Sequence, residues 1–107
     1  EELLRPNPYL GYRDNSLALY LIKQEAFAIA EKELRRAVWL NPFEPVFKAH
    51  LAWCLHREKK HDEALEWLRQ ALDQGPENPR VLLVRRWIES GPDPDDGLHR
   101  SLADTSE

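Results

Sequence analysis

Residues 42–76 of this chain read PFEPVFKAHLAWCLHREKKHDEALEWLRQALDQGP. This stretch decides the fold, because it repeats the pattern of the 34 residues before it. Pro42 and Pro76 lie one such interval apart, and Pro8 lies one interval earlier. Small and apolar residues recur at the same spacing: Leu17 as Leu51, Ala18 as Ala52, Leu21 as Leu55, Ala30 as Ala64, Leu34 as Leu68 and Ala37 as Ala71. A fixed period of this length indicates one supersecondary unit stacked on copies of itself.

Each unit carries the periodicity of two helices. Apolar residues spaced by three and four positions predict a first helix around Leu51 and a second around Leu68. The second helix of the preceding unit is predicted over about residues 26–40. Gly75-Pro76 is a strong stop signal, and Pro79 suits the first position of one more helix.

The sequence therefore predicts five segments. They are the end of a preceding partial repeat at 1–10, one repeat at 11–44, a second at 45–78, a capping helix at 79–90 and a mobile polar tail at 91–107. The expected fold class is all-α, an antiparallel helix-hairpin solenoid with a C-terminal capping helix. Because Pro8 repeats the phase of Pro42, the chain is expected to be the C-terminal fragment of a larger array.

Composition narrows the class of protein. The chain has 107 residues, a formal net charge of −4 and one cysteine. Nucleic-acid binders and membrane-surface binders need a basic excess, so neither class is favoured. No apolar run approaches the roughly 20 residues that span a bilayer. A lone cysteine favours a reducing compartment. We therefore expect a cytoplasmic protein, or a periplasmic one if a longer chain carries a signal or anchor.

The two full units resemble the tetratricopeptide repeat, a helix–turn–helix family with small residues where helices cross. The matching residues are Leu17, Ala18, Leu21, Ala30, Leu34, Ala37 and Pro42 in one unit, and Leu51, Ala52, Leu55, Ala64, Leu68, Ala71 and Pro76 in the other. Phe27 fills the family's aromatic place at the start of the second helix, where the other unit has His61. The resemblance implies a scaffold that binds protein or peptide partners and has no enzymatic activity.

The chain departs from the family pattern at two places. The early aromatic is replaced by Asp14 in one unit and by Lys48 in the other. Arg85 and Arg86 stand where a further repeat would have a leucine and a small residue. The last helix is therefore predicted to be a cap with a polar outer face rather than the start of another repeat.

In this family the first helix of each unit lines a concave groove. Mapped by phase, the predicted partner-binding residues are Tyr12, Asn15, Leu19, Ile22, Ala49, Trp53, His56, Arg80, Leu83 and Trp87. Trp53 and Trp87 share one phase with Leu19, so we expect a Leu–Trp–Trp stripe along the groove. If exposed, such a stripe marks an interaction site, and tryptophan is enriched in binding hot spots. The alternative is that neighbouring elements cover both tryptophans.

Two other kinds of binding site have weaker support. Some family members hold a C-terminal carboxylate with a clamp of Lys, Asn and Arg; the corresponding phases here are Asn15, Leu19, His50, Arg80 and Val84. Only two of these are suitable polar groups, so a clamp is not favoured.

Zinc would need tetrahedral ligands, for which the candidates are His50, Cys54, His56 and His61. Their phases diverge and no paired cysteines are present, so a buried thiol and surface histidines are favoured.

The remaining motifs are weak. The tail residues Asp93, Asp95, Asp96 and Gly97 faintly resemble a calcium loop but lack its bidentate Glu. No nucleophile–base pair or phosphate loop indicates a catalytic residue or a cofactor, so an enzyme is not expected. Leu98 and Leu102 are four residues apart, and we hypothesise a short amphipathic turn that folds back onto the groove.

The sequence leaves two functions open. The first is a protein–protein interaction module that binds an apolar or amphipathic partner segment in its groove. The second is a structural spacer or self-association unit whose groove is filled by its own chain, with a homo-oligomer as one form. By analogy alone, the parent protein is expected to belong to a bacterial secretion or envelope-assembly machine.

Overall fold

The computed structural model describes residues 10–91, and these form five α-helices without a strand in that range. The helices are α1 (Tyr12–Lys23), α2 (Phe27–Leu40), α3 (Pro45–Arg57), α4 (His61–Gln74) and α5 (Pro79–Ser90). The predicted all-α helix-hairpin fold is confirmed. The bounds of α5 match the predicted 79–90, and α2 begins one residue later than predicted. The predicted partial repeat at 1–10 and the tail at 91–107 lie outside the described residues, apart from Leu10 and Gly91.

Local sequence sets the helix starts. Pro45 and Pro79 occupy the first turns of α3 and α5, where a missing N–H costs nothing. The side chain of Glu44 accepts a hydrogen bond from the Val46 amide at 3.1 Å. The side-chain oxygen of Asn78 accepts one from the Arg80 amide at 2.9 Å. These caps satisfy amide groups that have no partner inside their own helix.

The turn inside each hairpin repeats in backbone detail. Glu25 and Lys59, one repeat interval apart, both have positive φ, at 63° and 69°. The amide of the next residue then donates back to the helix, from Ala26 to the Leu21 carbonyl at 2.8 Å and from Lys60 to the Leu55 carbonyl at 2.9 Å. The repeat therefore extends from the sequence to the backbone conformation. In each unit the second residue after the first helix has a left-handed φ.

The core is centred on α3, which contacts each of the other four described helices. Nine consecutive residues of α3, Phe47 to Leu55, are buried, so this helix has no exposed face over that length. Ala30 of α2, Ala52 of α3 and Ala64 of α4 are fully buried, and small side chains there let the helices approach closely. At the two positions that depart from the family's early aromatic, Asp14 pairs with Arg36 at 3.3 Å, and Lys48 is buried, which lowers its pKa.

Two glycines test how tightly the hairpins pack. Gly11 and Gly91 both have positive φ, at 91° and 81°. A Cβ at Gly11 would lie 2.6 Å from Phe47 Cε2 and 2.9 Å from the Ala37 carbonyl oxygen, whereas no atom of the described residues lies within 4 Å of a Cβ at Gly91.

Gly91 has ψ 159°, a backbone conformation that strains any residue with a Cβ, so we expect Gly91→Ala to cost about 1–3 kcal/mol of unfolding free energy from strain alone. Gly11→Ala should cost about 2–5 kcal/mol, because the added methyl overpacks the contact between α2 and α3 in addition to the strain of a left-handed alanine. Urea denaturation followed by circular dichroism measures both values. A cost below about 1 kcal/mol for Gly11→Ala would contradict the packing at Gly11.

Candidate partner-binding surface

The first helices of the successive hairpins, α1, α3 and α5, lie side by side, with α3 in contact with both neighbours. Every predicted partner-binding residue lies on one of these three helices. Trp53 of α3 and Trp87 of α5 meet, with ring centroids 5.2 Å apart and planes tilted by 51°. His56 stacks on Trp53 at 5.6 Å with an interplanar angle of 20°. The two tryptophans of the predicted Leu–Trp–Trp stripe are therefore adjacent in space.

The candidate residues differ in exposure. Five are buried: Asn15, Ile22, Ala49, Trp53 and Trp87. Four are half-buried: Leu19, His56, Arg80 and Leu83. Tyr12 is 41% exposed.

Both tryptophans of the predicted stripe are buried. Trp53 is 2% exposed and Trp87 is 3% exposed. The two rings pack on each other, and on Trp53 lie the His56 ring and the Arg57 guanidinium, whose carbon is 5.7 Å from the Trp53 ring centroid. The structure therefore fits the alternative in which neighbouring elements cover both tryptophans. The assignment of these residues to partner binding stays a prediction.

A buried polar pair links the first two hairpins. His50 Nδ1 lies 2.7 Å from Asn15 Oδ1, across α1 and α3. Since an amide oxygen only accepts, the neutral imidazole donates from Nδ1 and its Nε2 keeps the lone pair. Burial, and then the Arg80 guanidinium, lower the pKa of His50 from 6.5 to about 3. Asn15, predicted as a polar selector for a partner, thus holds His50 in place.

This pair predicts a pH dependence. The folded pKa of His50 lies below the unfolded value, so its stabilisation is present above pH 6.5 and is lost as pH falls toward 3. His50→Gln removes the group that only the unfolded chain protonates. As pH falls from about 6 to about 4, the unfolding free energy of the variant minus that of the natural chain should therefore increase by about 1.4 kcal/mol for each pH unit. Urea denaturation across this range measures the difference, and parallel curves would contradict a neutral buried His50.

Three buried polar atoms on this surface have no hydrogen-bond partner within the described structure: His50 Nε2, Trp53 Nε1 and Arg80 Nη1. Buried polar groups without partners are uncommon in folded proteins. Trp53 and Arg80 supply donors, and the His50 lone pair supplies an acceptor. Burial also lowers the pKa of Arg80. The surface therefore keeps unused hydrogen-bonding capacity next to its aromatic pair.

At the two edges of the surface, the polar groups of Tyr12 and His56 have partners. The Tyr12 hydroxyl donates to the Glu44 carboxylate, and its ring meets Phe47 edge-on at 4.8 Å. That hydrogen bond, and then burial, raise the pKa of Tyr12 to about 12. At the other end, His56 Nδ1 and His61 Nδ1 lie 3.3 Å apart. Burial, and then the charges of His61 and Arg57, lower the pKa of His56.

The candidate zinc ligands go to different partners. The Cys54 thiol lies 3.2 Å from the Phe27 carbonyl oxygen, to which it donates, while His50 pairs with Asn15. Burial, and then the Glu58 and Glu31 carboxylates, raise the pKa of Cys54 to about 12, which opposes thiolate formation. Across residues 10–91, no group of three His, Cys, Asp or Glu side chains is placed to hold a metal ion.

Sequence analysis missed two exposed aromatics at the turn between α2 and α3. Trp39 is 80% exposed and Phe43 is 81% exposed. The repeat itself carried the signal, because the same places in the next unit are Asp73 and Glu77. Neither place therefore needs an aromatic for folding. The acidic turn at residues 93–97 and the hypothesised turn at Leu98 and Leu102 lie outside the described residues.

Comparisons with known proteins agree with the fold. The family model described as Tetratricopeptide repeat matches residues 15–79. Cell division cycle protein 27 homolog B of Arabidopsis thaliana is 33% identical over 63 residues, which cover 59% of this chain and 8% of that protein. The chain thus spans less than a tenth of this curated relative. No solved structure gives a significant match.

None of the helices among the described residues is long and apolar enough to cross a bilayer.

The match to the family model covers more than half of the chain, and the five helices pack as repeated hairpins. The chain therefore belongs to the tetratricopeptide repeat family, whose members are generally protein–protein interaction modules without enzymatic activity.

Proposed function

We propose that this chain binds a segment of a partner protein on the surface formed by α1, α3 and α5, which we call the first-helix surface. The supporting observation is a row of half-buried side chains on these three neighbouring helices: Leu19, His56, Arg80 and Leu83. Half-burial leaves each of them accessible while the scaffold fixes its position. Among these side chains, His56 stacks on Trp53, which packs on Trp87, so the buried tryptophan pair supports His56 rather than forming the contact itself.

The chemistry of this row defines the partner. Leu19 and Leu83 offer apolar contacts, and Arg80 and His56 offer polar ones. An amphipathic segment with apolar side chains and a hydrogen-bond acceptor near Arg80 fits this arrangement. A full carboxylate clamp is not part of the proposal, because only Asn15 and Arg80 of the five corresponding positions are suitable polar groups, and Asn15 is buried.

Selection from a displayed library of random peptides tests the proposal with a defined probe. Peptides selected on the natural chain should lose binding to Arg80→Ala and to His56→Ala. Arg69→Ala is the matched control, because Arg69 is exposed on α4 and, among residues 10–91, pairs only with its neighbours Glu66 and Asp73. Equal loss of binding in the control, or undiminished binding to both surface variants, would overturn the proposal. Circular dichroism of each variant confirms that it is folded.

A second function is favoured by one specific observation, the burial of Trp53 and Trp87. We infer that, in this alternative, the chain is a structural or self-association unit whose groove is filled by its own polypeptide. Analytical ultracentrifugation of the natural chain and of the His56→Ala and Arg80→Ala variants separates the two functions. An oligomer of the natural chain that these variants abolish supports the structural function, whereas a monomeric natural chain that loses peptide binding in these variants supports the groove.

The setting of the protein remains a hypothesis. We retain a cytoplasmic location, with the periplasm as the alternative. A role in bacterial secretion or envelope assembly gains no support, because the relative is a plant protein whose name refers to the cell division cycle.

A further inference from the structure

Two histidines meet across the turn between α3 and α4, at the edge of the first-helix surface. His56 lies in the last turn of α3 and is half-buried, and His61 begins α4 and is exposed. Their Nδ1 atoms lie 3.3 Å apart, and the ring centroids lie 4.9 Å apart with the planes at 65°. Residues five apart face different sides of a continuous helix, so it is the turn that brings the two rings together.

A hydrogen bond between the two rings accounts for this geometry incompletely. A straight N–H···N bond with the nitrogens 3.3 Å apart would place the ring centroids about 5.6 Å apart, because each nitrogen lies about 1.2 Å from its ring centre. The observed separation of 4.9 Å is shorter, so the rings are inclined to the line that joins the nitrogens. The two Nδ1 directions therefore do not both lie along that line, as they do in a strong hydrogen bond.

We propose that His56 and His61 form a two-histidine binding site for a divalent metal ion that prefers nitrogen ligands, such as Zn²⁺, with Nδ1 of each ring as a ligand. Zinc binds imidazole nitrogen at about 2.0–2.1 Å, and a tetrahedral angle places two such nitrogens about 3.3–3.4 Å apart. The two Nδ1 atoms already lie 3.3 Å apart, so the ion does not have to separate the rings.

The residues around the pair select the kind of ion. Arg57 follows His56, and the start of α4, where His61 lies, carries a partial positive charge. Asp62 and Glu63 in the first turn of α4 offset part of this charge. Ca²⁺ and Mg²⁺ need several oxygen ligands, which the two imidazoles do not supply. Imidazole nitrogen suits Zn²⁺, Ni²⁺ and Cu²⁺, which the pair therefore favours.

The site does not depend on the proposed partner segment, because both ligands come from this chain. Among residues 10–91, no third His, Cys, Asp or Glu side chain joins the pair to complete a set of three ligands. The remaining positions of a tetrahedral ion are thus left to water, and the ion exchanges with solution.

Isothermal titration calorimetry of the full chain with Zn²⁺ alone tests the site. The natural chain should bind one Zn²⁺ at the pair. His61→Ala should weaken this binding at least about tenfold, since loss of even an outer partner of a metal ligand has an effect of that size. His50→Gln is the matched control and should bind as the natural chain does, because His50 is buried and pairs with Asn15. Undiminished binding in His61→Ala, equal loss in His50→Gln, or no binding by the natural chain at millimolar Zn²⁺ would overturn the proposal.

Nitrogen-15 nuclear magnetic resonance of the histidine rings gives a second readout that needs no variant. Adding Zn²⁺ to the natural chain should shift the Nδ1 signals of His56 and His61 and leave both rings protonated at Nε2. Metal bound at Nε2 of either ring, or shifts confined to the other histidines of the chain, would overturn the proposal.

Discussion

Trp53→Ala is expected to lower the unfolding free energy by about 3–5 kcal/mol, the largest loss for any single variant considered for this chain. Trp53 is 2% exposed and contacts Trp87, His56 and Arg57, so truncation leaves a cavity between α3 and α5. Small domains have about 5–15 kcal/mol of stability in total, so the variant would be close to unfolding. Urea denaturation of the full chain measures the loss.

The matched control for Trp53 is Trp39, which is 80% exposed at the end of α2. Trp39→Ala should change the unfolding free energy by no more than about 0.5 kcal/mol. If Trp53→Ala lowers the unfolding free energy as little as Trp39→Ala but abolishes peptide binding, the burial of Trp53 is contradicted. Trp53 would then contact the partner directly.

Leu51→Ala and Leu17→Ala form the second pair of expected results. The two leucines occupy the same place in successive units, but Leu51 is fully buried and Leu17 is 45% exposed. We expect Leu51→Ala to cost about 2–5 kcal/mol, because a cavity opens between α2 and α3. Leu17→Ala should cost less than about 1.5 kcal/mol, since much of its side chain is already in water.

Because the two leucines share one position in the repeat, a difference between their costs in unfolding free energy reports what packs around each of them. Both variants are measured by urea denaturation under one condition, and additivity is checked in the double variant. Equal costs would mean that α1 is covered as fully as α3, which would contradict the exposure of Leu17.

The helices and their small-residue crossings could be predicted because they depend on local pattern. Pro79 and Gly91 set the ends of α5, and the alanines at 30 and 64 follow from the period. Helix starts capped by proline and asparagine are local signals that need no tertiary information. The fold class therefore followed from the sequence.

The state of the groove could not be predicted in the same way. Phase assigns Trp53 and Trp87 to one side of their helices, but exposure depends on what packs against that side. The same limit applies to Asn15, which phase presented as a selector and which His50 engages through a side-chain contact across two helices. Such contacts depend on rotamers and distances between hairpins, which a one-dimensional period does not contain.

We propose that a partner segment binds along α1, α3 and α5. Nuclear magnetic resonance of the isotope-labelled full chain, titrated with a library-selected peptide, measures this directly. We expect the shifted amide and methyl signals to cluster around Leu19, His56, Arg80 and Leu83. Shifts confined to the outer faces of α2 and α4, around residues such as Lys32 and Arg69, would contradict it.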